Sequence, residues 1–138
     1  MNPRFASRLL VAALVGVVGF LLVRFFNRNE GMPPISEEKS LAKANEIYAM
    51  LQRGGDFATL AKKYSADPGS AKNGGDLGPA KKGMFVREFE EALLTLQPGE
   101  LSKPVRSAYG YHLIQLLRRD EETFESRHIL IRVTAPED

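Results

Sequence analysis

No cysteine occurs among the 138 residues. The chain can therefore form no disulfide and no thiolate metal site, and it has no cysteine nucleophile. Histidine is nearly as scarce. His112 and His128 are the two present, so any imidazole chemistry uses one or both. With no third ligand near them they make a poor metal site. A large excess of one charge is also missing. Nineteen basic and 17 acidic side chains leave a formal net charge of +2. That balance does not supply the positive field of a nucleic-acid binder, so no nucleic-acid partner is expected. The length suffices for one domain with a single core.

One long apolar run is present. Leu9–Val23 reads LLVAALVGVVGFLLV, with Phe25 and Phe26 beyond Arg24. A helix crossing the hydrocarbon core needs roughly 20 mostly apolar residues. Ala6–Phe26 meets this if Ser7 and Arg8 sit at one interface and Arg24 snorkels at the other. The competing reading is a cleaved signal peptide, with Arg4 and Arg8 as its basic start. The exit reads VRFFNRNE and offers no small-x-small cleavage site, so an uncleaved transmembrane anchor is expected. Arg4 and Arg8 before the run and Arg24 and Arg28 after it leave the orientation nearly tied.

Residues 1–35 are thus expected to be anchor and linker, and residues 36–138 a folded domain. Ser36 opens S-E-E-K with acids suited to a helix N-terminus. Leu41, Ala44, Ile47, Tyr48 and Leu51 then recur at helical spacing up to Gly54-Gly55. Asp56 is a good N-cap for a second helix, with Phe57, Leu60, Ala61 and Tyr64 on one face. Asp67-Pro68-Gly69-Ser70 is turn chemistry, and Gly74–Gly78 is glycine-rich. Val86–Leu96 reads as an amphipathic helix stopped by Pro98-Gly99. Val105–Ser107, Tyr111–Leu117 and Arg127–Val133 read as strands, with the charged Arg118–Ser126 between the last two. Helices followed by short strands point to an α+β fold with an antiparallel sheet.

Three blocks of the chain, in this order and spacing, resemble the parvulin family of peptidyl-prolyl isomerases. They are DFATLAKKYSADPGSAKNGGDLG, GMFVREFEEALLTLQPGELSKPV and GYHLIQL. The resemblance implies a small antiparallel sheet with flanking helices, of the parvulin/FKBP-like kind. Parvulins begin with a strand similar to S/R-H-I-L-I, which is missing ahead of Ser36. A match, Ser126–Ile131, stands at the C-terminal end and runs into VTAPED, which is similar to the loop before the family's first helix. The family's first strand is therefore expected to be supplied by the C-terminus, either in a circular permutant or in a truncated tandem-domain chain. Permutation is the favoured expectation, because domain termini lie close together and surface loops tolerate cuts.

The resemblance also implies an activity: rotation about the peptide bond before proline, with no cofactor. His112 and His128 match the family's paired histidines, Asp67 a cysteine or aspartate facing the substrate carbonyl, and Ser107 a hydroxyl in the histidine network. Leu77, Phe85 and Phe89 match the apolar proline pocket. Each has a plainer reading. Asp67 suits a turn, Phe89 sits at core spacing with Leu93, and without the motif the histidines would be unrelated. In many parvulins a methionine stands where Phe85 is, and here Met84 is displaced by one. An aromatic is usual where this chain has Ala80, and Arg132 alone does not support selection of phosphoserine. The expected partners are proline-containing polypeptides and, through the N-terminal helix, a membrane. The expected role is a folding isomerase outside the cytoplasm, in the periplasm or at the cell exterior. The alternatives are a parvulin-like chaperone or peptide-binding module with little catalysis, or an assembly factor that docks a partner. Strands 111–117 and 127–133 are expected to pair with His112 opposite His128, Ile114 opposite Ser126 and the loop centred at Asp120.

Overall fold

Two stretches near the C-terminal end carry apolar side chains on both of their faces, and they form the middle of a sheet. The computed structural model describes residues 35–133. β3 (Gly110–Arg119) and β4 (Thr123–Arg132) pair antiparallel. β1 (Asp76–Lys81) lies on the outer side of β4, and β2 (Val105–Ser107) on the outer side of β3. The order is β1-β4-β3-β2, and all neighbours are antiparallel. Around the sheet stand α1 (Ile35–Gln52), α2 (Phe57–Tyr64), the one-turn α3 (Pro68–Ala71) and α4 (Arg87–Thr95). This is the antiparallel α+β arrangement expected from the order of elements. The apolar run Leu9–Val23, with its expected anchor, and the segment 134–138 lie outside the described residues. Among the described residues no helix is long and apolar enough to cross a membrane.

Alternation along β3 and β4 divides the core in two. Tyr111, Leu113, Ile129 and Ile131 pack with Ala44 and Ile47 of α1 and Phe57 and Ala61 of α2. Ile114, Leu116 and Phe124 pack with Phe89 and Leu93 of α4. Ser126, of the same parity as Phe124, is wholly buried with a hydroxyl that has no partner among the described residues. Leu41, expected on the buried face of α1, is 37% exposed.

Local chemistry explains the helix ends. Asp56 caps α2 by accepting the Thr59 N–H at 2.9 Å. Val86 caps α4 without a side-chain bond, and Glu88 and Glu90 supply the negative charge that a helix N-terminus favours. At the other end of α4 the Arg119 guanidinium donates to the carbonyls of Leu93 and Leu96 at 3.0 and 2.9 Å. These are carbonyls of the last turn, that of Leu93 also accepting the Leu96 N–H, and a cation sits where the dipole favours one.

Two features depart from expectation. The glycine-rich stretch continues into β1, which the sequence hides because Gly78 and Pro79 interrupt any strand pattern. Gly78 has φ +70°, and the pairing with β4 slips there as a bulge. The hairpin between β3 and β4 is also tighter than the charged run suggested. Asp120 Oδ1 accepts the N–H groups of Glu122 and Thr123 and the Thr123 hydroxyl, so the strands extend nearly to the turn.

Gly75 shows how closely β4 is held. Its φ is +87°, its carbonyl accepts the His128 N–H at 2.9 Å, and an added Cβ would stand 2.5 Å from the His128 carbonyl oxygen. Gly75→Ala should therefore cost about 2 kcal/mol or more, or about 8–16 °C in melting temperature for a domain of this size. Gly69→Ala, where an added Cβ meets only an ordinary contact at 3.6 Å, should shift the melt by far less. Equal melting temperatures for the two variants would mean that β4 does not lie against Gly75.

Candidate functional site

The register of the central hairpin sets the site. His112 lies opposite Leu130, and Ile114 opposite His128. This is a two-residue slip from the expected pairing, caused by the short Asp120 turn and a bulge between Leu116 and Arg118. A shift of two keeps every side chain on its face. The histidines thus share the α4 side of the sheet as a diagonal pair, which long side chains can bridge. Their rings lie 17° from parallel, and Nδ1 of one is 3.1 Å from Nδ1 of the other.

Asp67 and Ser107 stand at the two ends of this pair. The segment before α3 is stitched to β4: the Ala66 N–H donates to the Leu130 carbonyl at 2.7 Å, and the Leu130 N–H donates to Ser65 Oγ at 3.0 Å. Asp67 then caps α3, accepting from the Gly69 N–H at 3.3 Å and the Ser70 hydroxyl at 2.7 Å. Its Oδ2 is 2.8 Å from His128 Nε2. At the far end Ser107 Oγ is 2.6 Å from His112 Nε2 and accepts the Tyr109 N–H at 3.1 Å.

Donors and acceptors along this chain have one consistent assignment when Asp67 is ionised and both imidazoles are neutral, the form that burial favours. An ionised carboxylate only accepts, so His128 carries its proton on Nε2. Its Nδ1 then accepts from the Nδ1–H of His112. The Nε2 of His112 is left to accept the Ser107 hydroxyl, whose oxygen takes the Tyr109 N–H. The polarity then runs one way, from Ser107 to Asp67. One proton fits between the two Nδ1 atoms, so the pair cannot become doubly charged as it stands. Burial, with the His128 charge second, pushes His112 down to about 4, against a smaller opposing pull from Asp67. Burial also lowers His128, partly offset by its bond to Asp67 and the Asp67 charge. Burial acts to raise the Asp67 carboxyl, but the bonds from His128 and Ser70 outweigh it and hold the group below its ordinary value.

Above the histidines is a cleft of about 310 Å³. Asp67, Leu77, Phe85, Phe89, His112 and His128, singled out in the sequence, all line it. Ser107 lies behind His112 instead. Phe85 and Phe89 stack obliquely with centroids 4.6 Å apart. Phe89 also stands edge-on to His112 at 5.3 Å and to His128 at 5.5 Å. Phe89 is 3% exposed, and it belongs to the core as well as to the cleft lining. The sequence reading missed Met84, Val86, Tyr109 and Leu130, which complete the lining. Leu130 was within reach, being two residues beyond His128 on the same strand face. Ala80 is absent from the lining. The apolar walls, carboxylate and neutral imidazoles suit a ring-sized apolar group bearing a carbonyl. The hydroxyl bonded to an imidazole, that of Ser107, does not line the cleft.

The family described as the PPIC-type PPIASE domain matches residues 20–120. Over 88 residues the chain is 49% identical to the foldase protein PrsA of Geobacillus kaustophilus, which covers 64% of this chain and 30% of that protein. It is 48% identical over 84 residues to the chaperone SurA of Pseudomonas syringae pv. tomato, covering 61% of this chain and 20% of that one. The crystal structure of peptidylprolyl isomerase PrsA from Bacillus anthracis matches with a TM-score of 0.58 and 40% identity, over 59% of this chain and 38% of that one. The chain therefore spans only 30% and 20% of these two curated relatives.

The neutral histidines predict an acid-labile domain. His112, and in the same direction His128, bind protons more weakly folded than unfolded. Stability is then fully present above the ordinary histidine range and falls as pH drops from about 6.5. The His112 contribution is lost by about pH 4. Asp67, with its lowered value, removes more at still lower pH. Ring proton resonances of His112 should keep their neutral positions at pH 5, while the melting temperature declines between pH 6.5 and 4. A His112 midpoint near 6.5 would contradict the buried, neutral assignment.

Proposed function

This chain belongs to the PPIC-type PPIase domain family, and from that premise we propose that its cleft interconverts cis and trans peptide bonds before proline in folding polypeptides. The observation that carries the reading is the continuous chain Asp67–His128–His112–Ser107 beneath an apolar cleft of suitable size. Amide resonance gives the bond a rotation barrier of about 18–20 kcal/mol. Twisting it localises the lone pair on nitrogen and drains charge from the carbonyl oxygen. The twisted amide is less polar, so an apolar wall of Leu77, Phe85 and Phe89 around the proline ring disfavours it least. A carboxylate at Asp67 facing the carbonyl oxygen repels the partial negative charge of the planar form, and that repulsion fades on twisting. This is discrimination between ground and transition states, the only kind that accelerates a reaction. In this reading the histidine pair positions Asp67 through Nε2 of His128 and keeps the floor of the cleft neutral.

The same reading takes β4 as the family's first strand, supplied from the C-terminal side. Its support is the central place of β4 between β1 and β3, although its residues lie beyond the family match. The division into residues 1–35 and 36–138, a membrane anchor at Leu9–Val23 and an extracytoplasmic domain complete the proposal. They rest on the apolar run and on the relatives named foldase and chaperone. The small Ala80, outside the cleft lining, favours a second reading in which the cleft binds peptides with little turnover.

Exchange between cis and trans forms of a short proline peptide, followed by NMR, separates the two. We expect measurable catalysis by the wild type. We expect Phe89→Ala to lower kcat/KM about tenfold or more, because a lost methylene alone costs about 10–200-fold in an apolar pocket. That variant is also expected to lose about 3–5 kcal/mol of stability, so the assay is run cold on protein shown to be folded. Peptide binding without catalysis by the wild type would select the second reading. Unchanged kcat/KM in folded Phe89→Ala would remove the ring from the site.

A further inference from the structure

On the face of the sheet away from the cleft, one ion pair reaches the network from behind. Arg106 and Tyr111 are paired residues of β2 and β3, both turned to the α1 side. Glu37, in the first turn of α1, accepts Arg106 Nε at 2.7 Å, Arg106 Nη2 at 3.3 Å and the Tyr111 hydroxyl at 3.0 Å. The guanidinium carbon stands 5.4 Å from the centre of the Tyr111 ring. The third arm of the same guanidinium, Nη1, donates to the backbone carbonyl of Ser107. Ser107 is the residue whose hydroxyl meets His112 Nε2.

β2 has only three residues and lies at the sheet edge. Short edge strands are held by few ladder bonds, so three pairings alone are a weak fixture for an atom that must sit 2.6 Å from a ring nitrogen. The fork of an arginine can grip a carboxylate with two nitrogens and a carbonyl with the third, which a lysine cannot do. Its partial exposure makes the Arg106–Glu37 pair a modest source of stability. Its geometry, in contrast, ties the start of α1 to the Ser107 backbone.

We propose that Arg106, held by Glu37 and Tyr111, is a positioning residue for the histidine pair: it fixes Ser107 so that the serine hydroxyl donates to His112 Nε2. Through that bond it satisfies His112 Nε2 as an acceptor, and so reinforces from the Ser107 end the tautomer, with its proton on Nδ1, that Asp67 imposes from the other. The inference rests on the proposed role of this network in isomerisation, but its first readout does not depend on activity.

The test is a double-mutant cycle on the full chain with Arg106→Leu and Ser107→Ala. The tautomer is read from the ring ¹⁵N resonances of His112, and kcat and KM are measured with a proline peptide. Arg106→Leu should move His112 from a single Nδ1–H tautomer to a mixture and lower kcat with KM little changed. The loss in kcat should be about three- to tenfold, short of the about 100-fold that an ångström of misplacement can cost. In the Ser107→Ala background the same substitution should change neither tautomer nor kcat, because its route is gone. Arg106→Lys should leave the tautomer mixed, since one ammonium cannot hold both ends. Glu37→Gln serves as the milder variant if Arg106→Leu does not fold. An unshifted tautomer in folded Arg106→Leu and Glu37→Gln would overturn the proposal, and so would an undiminished effect in the Ser107→Ala background. If the wild type proves inactive, the catalytic reading fails while the ¹⁵N result still decides the positioning claim.

Discussion

The pairing of β3 with β4 is the constraint on which the rest of this structure depends. It is the one ladder among the described residues buried on both sides, so a single-residue slip would exchange the side chains of its two core faces and disrupt the packing of both. The observed two-residue offset from direct opposition leaves the faces intact and places His112 and His128 diagonally. Diagonal placement lets the two rings lie nearly parallel and join through Nδ1. Three other segments take their positions from β4: Gly75 through His128, Ala66 through Leu130, and Ser40 of α1, whose hydroxyl lies 3.0 Å from the Arg132 carbonyl. Asp67 reaches His128 because its own segment is fastened to the strand that carries His128.

That arrangement gives the site its electrostatics. Two imidazoles in a dehydrated position are costly to charge, and each would repel the other's charge. Asp67 remains an anion because it accepts several donors and sits at the cleft wall, where water still reaches it. The result is one negative group at the edge of an apolar cleft, with a neutral floor. Phe89 joins the two parts, packing on the α4 side of the core and standing edge-on to both rings. Destabilising the core there and widening the cleft are the same event at this position.

Much of this was legible in the sequence, for reasons that differ by element. The caps and periodicity of α1, α2 and α4 are local, so Asp56 and the Phe89–Leu93 spacing located them. The parvulin resemblance named every residue of the hydrogen-bonded chain beneath the cleft, Asp67 and His112 within its three blocks, Ser107 between two of them and His128 in the C-terminal match, and the structure brings those residues together. What was hidden is non-local or irregular. β1 carries Gly78 and Pro79, and its strand character comes from pairing with β4 rather than from propensity. The hairpin register depends on Asp120 accepting three donors, a detail of turn geometry that charge content does not announce. The Glu37–Arg106 pair joins residues 69 positions apart in the chain, and nothing in either neighbourhood signals it.

The central claim is that β4 supplies half of a directional hydrogen-bonded chain, with His112 donating from Nδ1 to Nδ1 of His128. Scalar coupling across that hydrogen bond, detected between the two ring nitrogens in uniformly ¹⁵N-labelled protein near pH 7, tests it most directly. The account predicts one Nδ1-bound proton on His112, coupled to an unprotonated Nδ1 on His128 whose Nε2 is protonated. Two independent imidazoles without coupling, each titrating in the ordinary range near 6.5, would contradict it.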